Sequence, residues 1–258
     1  MRMQRTMAMP CHGTVSRILR VCLLIICLGG TVCPVWSQSA PPDTSLADQS
    51  RREAVDLFMQ GYGRSLPVFA GAEWVQRTQK VGGNPFWGQA VPYKGDVELQ
   101  GIVYPGLSLQ YDIETDALLV LPEGDGLRLV VPKEKVGRFS LGQTRFLRPA
   151  APGAYPGLDD SSYYRVLYEG PTMVVARTRK SLHYQPGEEV TEVYRESTAY
   201  FMMDGKRFAS ISSESDLVSL RGRKNKDLRK MLHTRNLRFK KAPEQTLLAA
   251  ARYFDGGL

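Results

Sequence analysis

From residue 97 to residue 211 the sequence is a succession of short alternating segments separated by turn residues, and this restricts the fold more than any other feature. Leu107, Leu109, Tyr111 and Ile113 alternate with Ser108, Gln110 and Asp112, the period of two that turns one side of a strand to a core and the other to solvent. Around it, Val97–Tyr104, Ala117–Leu121, Leu127–Val131, Gly137–Leu141 and Thr144–Leu147 read as further strands. The connectors Pro105-Gly106, Glu114-Thr115-Asp116, Glu123-Gly124-Asp125-Gly126 and Gly142-Gln143 are short and turn-forming, so neighbouring strands are expected to pair antiparallel. Beyond a Pro/Gly loop that opens at Pro149, a second group follows: Tyr163–Tyr168, Met173–Thr178, Val190–Met202 and Phe208–Ile211. The spacing predicts a mainly β (α+β) protein, with an antiparallel meander forming a barrel- or sandwich-like sheet, and not a βαβ fold.

After Ser213 the period lengthens. Leu217 and Leu220, then Leu228, Met231 and Leu232, then Leu247, Leu248, Ala251 and Phe254 predict three short amphipathic helices packed on the sheet. Pro243 suits a first helical turn, and Asp255-Gly256-Gly257 suits an end. A further short helix is expected over Ser50–Gln60, with Ala54, Leu57 and Phe58 at helical spacing and Gly61 as its stop. Residues 50–258 are expected to form one β-rich domain, helical from about residue 213, behind a Ser/Pro/Asp/Ala-rich flexible linker over residues 38–49.

Residues 1–37 read as a secretory signal peptide. Arg2, Arg5, Arg17 and Arg20 precede the apolar run Val21–Leu28, and Val35-Trp36-Ser37 places modest side chains before Gln38. The run is too short for a comfortable membrane span, which needs about 20 residues, so no transmembrane segment is expected once the leader is removed. Lipidation is not expected, because no small residue stands before Cys22, Cys27 or Cys33. All four cysteines (Cys11, Cys22, Cys27, Cys33) lie within the leader. A cleaved chain would therefore hold no disulfide, no thiolate nucleophile and no cysteine-ligated metal. The expected location is the periplasm or cell envelope of a Gram-negative bacterium.

Positive charge is concentrated in one segment. Residues 221–241 carry ten Lys/Arg and one acid, Asp227, whereas the whole chain is only +8. The candidate face for an anionic partner comprises Arg221, Arg223, Lys224, Lys226, Arg229, Lys230, Arg235 and Arg238, interleaved with the apolar Leu228, Met231, Leu232, Leu237 and Phe239. Its expected partner is an anionic envelope component or an acidic protein. A basic helix also suits nucleic acid, but export argues against that. A plain solvated face on a packed helix is the simpler alternative.

Signals for catalysis are sparse. Asp112, Glu114 and Asp116 alternate as in oxygen-rich calcium loops, but Ala117-Leu118-Leu119 continues them without the glycine and bidentate acid such a loop requires, so a turn is expected. Asp159 and Asp160 are adjacent and read as a surface loop. His183 and His233 are the only histidines beyond the leader, and no Gly-x-Ser-x-Gly elbow, P-loop or dinucleotide fingerprint accompanies them. No metal site and no cofactor are expected. The tyrosines of the strands, among them Tyr104, Tyr111, Tyr163 and Tyr164, are expected in the core, with a sugar- or lipid-binding face as the alternative.

Asn84-Pro85-Phe86, the stretch Gly95 to Tyr104, then Leu109-Gln110-Tyr111-Asp112 and Asp116 resemble a family of exported β-rich envelope proteins from Bacteroidota-type Gram-negative bacteria. That family carries a Gly-x-Val-x-Tyr-x-Gly-x-x-Tyr segment before a Tyr-Asp pair; Leu99 stands here where its pattern has tyrosine. The similarity continues through Phe201–Lys206, Ser212–Leu217, Leu237-Arg238-Phe239-Lys240 and Ala250–Asp255, and spans about residues 84–258. It implies export and one integrated domain, and supplies no catalytic residues. Together these readings predict a non-enzymatic binding or scaffolding module of the envelope. A hydrolase, or a small-ligand or lipid carrier whose site is scattered over strands and loops, is the alternative.

Overall fold

The structure, a computed structural model, describes residues 49–50, 53–54, 57, 61, 63–77, 81–124, 126–149, 151–186, 191–220 and 225–256. The leader and residues 38–48 of the linker lie outside them. Eleven strands form one sheet: β1 (Val81–Gly82), β2 (Tyr93–Leu99), β3 (Ile102–Asp112), β4 (Ala117–Val120), β5 (Leu129–Val130), β6 (Val136–Leu141), β7 (Thr144–Leu147), β8 (Tyr164–Tyr168), β9 (Val174–Gln185), β10 (Thr191–Asp204) and β11 (Arg207–Ile211). Their order is β1-β10-β9-β8-β7-β6-β2-β3-β4-β5, with β11 on β10. The mainly β expectation holds, and the sheet is not closed. It departs from a pure meander twice. After β5 the chain returns through a short 3-10 turn, Lys133–Lys135, so that β6 pairs with β2, and β1 joins β10 in parallel.

The first hairpin corrects the expected connector. Pro105-Gly106 lies inside β3, and the chain reverses at Gln100-Gly101 instead. Both of those residues have positive φ (52° and 82°), which matches a two-residue turn to the twist of its strands. Pro105 and Gly106 make a bulge: Gly95 pairs with Leu107 and Val97 with Tyr104, so two residues face Asp96 alone. Proline has no N–H for the ladder, while Gly106, at φ 68°, donates its N–H to Asp96 Oδ1 at 2.9 Å. β9 is also longer than its apolar run, since it continues past β8 in pairing with β10 to exposed residues such as Tyr184, where β1 joins the far side of β10.

Alternation divides the interior into three clusters. The first gathers Leu107, Leu109, Tyr111, Phe139 and Phe146 from the strands and Ile113 from the turn after β3, with Leu66 and Val68 at a 3-10 turn. Tyr111, Phe139, Phe146 and Tyr163 pack edge to face within it, while Phe139 and Phe146 stack at 4.6 Å. Such aromatic pairs add roughly 0.5–1.5 kcal/mol beyond their area. The second cluster lies between the β8–β11 end of the sheet and the helices, and the third, with Tyr164, Val175 and Phe208, lies on the alternate side chains of those strands, with Tyr155 and Leu158 of the preceding loop packed against it.

Three helices end the described chain: α1 (Glu214–Ser219), α2 (Lys226–Thr234) and α3 (Pro243–Phe254). Ser213 caps α1 in a reciprocal capping box with Asp216, Asn225 caps α2, and Pro243 opens α3. Leu217, Leu220, Leu228, Leu232, Leu247 and Ala251 are buried, as their spacing predicts, whereas Met231, Leu248 and Phe254 are half-buried. The helix expected over Ser50–Gln60 is present at its described positions, but Gly61, its expected stop, is also helical, and Ala54 and Leu57, expected to face inward, are exposed. Phe58 lies outside the described residues. None of the helices among the described residues is long and apolar enough to cross a membrane.

The margin of β5 is covered by residues 72–74. Val130 N donates to Ala72 O and Trp74 N to Arg128 O, at 2.8 and 2.7 Å, around a Glu73–Leu129 bridge. Gly71 makes that approach possible, because a Cβ there would lie 1.6 Å from Val130 O.

Candidate binding surface

Helix α2 separates its residue types cleanly. Leu228 and Leu232 are buried and Met231 half-buried, while Lys226, Asp227, Arg229, Lys230 and His233 are exposed. The turn that follows continues the pattern, with Arg235, Arg238, Lys240 and Lys241 exposed and Leu237 and Phe239 half-buried in the second core cluster. Of the predicted face, Lys226, Arg229, Lys230, Arg235 and Arg238 are each exposed, as are Lys240 and Lys241. Arg221, Arg223 and Lys224 lie outside the described residues.

None of these seven cations pairs with a carboxylate among the described residues. The seven ion pairs there all use earlier cations: Arg77–Glu114, Lys94–Glu123, Lys133–Asp116, Arg138 and Arg145 with Glu169, Arg165–Glu244 and Arg177–Asp159. The apolar face of α2 is already occupied by the core. What remains outward is charge without an apolar anchor, a surface that attracts anions at range and has nothing to insert.

Beside this surface lies a groove of about 820 Å³ between the β10–β11 hairpin and the turn into α3. Tyr200, Ile211, Phe239 and Pro243 supply its apolar lining, and Arg238 and Lys240 its cations. Tyr200 meets Phe239 edge to face at 6.0 Å, and burial raises the pKa of the Tyr200 phenol above its ordinary value. Sequence reading missed this groove, because its walls come from residues some 40 positions apart with no shared period.

The carboxylates singled out in the sequence serve the fold. Asp112, buried, accepts from the N–H groups of Glu114 and Thr115 on one oxygen and from the Trp74 indole on the other, at 3.0 Å. Glu114 accepts from Arg77 (2.8 Å) and from the Tyr194 hydroxyl (2.9 Å); burial, then this bond, pushes the Tyr194 phenol up to about 12. Asp116 accepts from the Tyr111 hydroxyl and from Lys133 Nζ. The three side chains therefore diverge to separate partners, and no cluster suited to a metal occurs among the described residues. A smaller cavity of about 310 Å³ borders Asp112, Glu114 and Tyr194, but each carboxylate oxygen facing the question of catalysis already accepts a hydrogen bond.

Asp159 caps its own loop, accepting from Ser161 and Ser162 and pairing with Arg177. The Ser161 hydroxyl, first among these donors, holds its carboxyl well below the usual range. His183 is exposed and its Nε2 lies 3.1 Å from the Ser181 hydroxyl on β9, and it forms no ion pair with a carboxylate among the described residues. Tyr104, Tyr111, Tyr163 and Tyr164 are buried, as the core reading expects. The sequence matches no protein-family model, no curated protein and no solved structure at a significant level.

Proposed function

We propose that this chain is an exported envelope protein of a Gram-negative bacterium, of the kind the sequence resemblance implies, and that it acts as a non-enzymatic binding module. Its exposed cations on α2 and the following turn hold it against the phosphate-rich surface of the envelope. The single observation behind this reading is the set of seven exposed cations, three on α2 and four in the turn after it, that pair with no carboxylate among the described residues, while the apolar face of α2 is buried. The leader-like residues 1–37 support export. An acidic protein is the weaker reading of the same surface, since stable protein interfaces centre on aromatic or apolar anchors and the outer face of α2 presents only polar residues.

Attraction of this type contributes about 1 kcal/mol per basic residue near an anionic surface and is screened over about 8 Å at physiological salt. The test is co-sedimentation of the protein recovered from the periplasmic fraction, its N-terminus read by mass spectrometry. Vesicles containing phosphatidylglycerol and, separately, lipopolysaccharide are compared with phosphatidylcholine vesicles. Binding to an anionic arm is expected, lost in high salt and weakened roughly a hundredfold in R229E/K230E/R235E. Equal binding of the variant, or binding to neither arm, overturns the docking reading; an intact N-terminus on cytosolic protein overturns export.

A further inference from the structure

The groove beside the cationic surface has a composition of its own. Its lining joins two walls. On one, Thr198, Tyr200 and Ile211 belong to the β10–β11 hairpin; on the other, Phe239 and Pro243 belong to the turn before α3. At about 820 Å³ it falls within the range of small-molecule sites, roughly 300–1,000 Å³. Among its lining residues Arg238 and Lys240 are the cations, both exposed, and neither pairs with a described carboxylate; Glu214 is the one acid.

We infer that this groove is a binding site for a single anionic amphiphile: an acyl chain along Tyr200, Ile211, Phe239 and Pro243, with a carboxylate or phosphate head held by Arg238 and Lys240. Charge complementarity chooses this occupant over an uncharged apolar one. Two cations beside an apolar lining match a ligand with one charged end, and an Arg guanidinium takes a carboxylate or phosphate through paired donors. The inference goes beyond surface docking, because it joins two of the seven cations to the apolar lining of the groove and concerns a ligand of defined stoichiometry.

Titration calorimetry of the purified protein with octanoate, decanoate and dodecanoate, all below their micellar concentrations, tests it. Binding is expected at one ligand per chain, tightening about two- to fourfold per added methylene. Alkyl phosphates of the same lengths tell a phosphate head from a carboxylate, and decanol reports the chain without charge, expected at least tenfold weaker. R238Q/K240Q, both at exposed positions, is expected to bind decanoate at least tenfold more weakly; T198W, which fills the groove from the Tyr200 side of β10, is expected to abolish binding. R229E/K230E/R235E should keep decanoate binding while losing vesicles, so the two readings fail separately. Unchanged affinity in R238Q/K240Q, or no dependence on chain length, overturns the proposal. So does a dimer in sedimentation that T198W dissolves, for the groove then belongs to a second copy.

Discussion

Along the sheet, Lys133 lies against Asp116, Arg77 against Glu114, Arg177 against Asp159, and Arg138 and Arg145 share Glu169. On α2 and the turn after it, seven cations face solvent with no described carboxylate beside them. The two regions resemble each other in apolar content and burial: Leu109 and Leu232 are both fully buried. They differ in where charge is directed. The described ion pairs lie outside α2 and the turn after it, many of them holding turns and loops. Arg179, Arg195 and Arg207 on the strands are also exposed without a described carboxylate partner, but the C-terminal segment gathers seven such cations between Lys226 and Lys241.

Core substitutions test whether the two regions fold as one. Leu109→Ala in the sheet and Leu232→Ala in α2 should each cost about 2–5 kcal/mol, read as a lowered urea midpoint. A single shared transition in both variants is expected; a separate early transition in Leu232→Ala alone would make the helices an independent layer. A smaller effect is expected at the junction, where Ser213 caps α1. Ser213→Ala removes the acceptor for Asp216 N–H and should cost about 1 kcal/mol. Smallest is the effect of charge reversal at Arg229, Lys230 and Arg235 on folding, within about 0.5 kcal/mol by thermal melting. A larger loss would mean that these cations stabilise the fold and would erase the contrast with the sheet.

Much of the sheet was legible because alternation is a local signal. β6 and β7 fall at the predicted residues almost without shift, and Leu217, Leu228 and Leu232 mark buried helix faces as their spacing requires. The Pro105-Gly106 turn was misread because a bulge and a turn use the same residue types, and only pairing with Asp96 distinguishes them. The return of β6 to β2, the cover over β5 and the parallel addition of β1 are long-range pairings that no local period encodes. The cationic surface was visible as a run of Lys and Arg. Its lack of partners was not, since that depends on where Glu114, Asp116, Asp159 and Glu169 point.

An open sheet has two margins at which a second chain could template itself strand upon strand. Here one is stopped by residues 72–74 lying along β5, which requires the bare backbone of Gly71, and the other is interrupted by the two-residue β1 and by β11 sharing the flank of β10. These caps are too short to invite further growth, and the stretch of β10 between them carries Arg195 and Glu196 outward in exposed positions. Both margins are thereby shortened without the sheet closing into a cylinder.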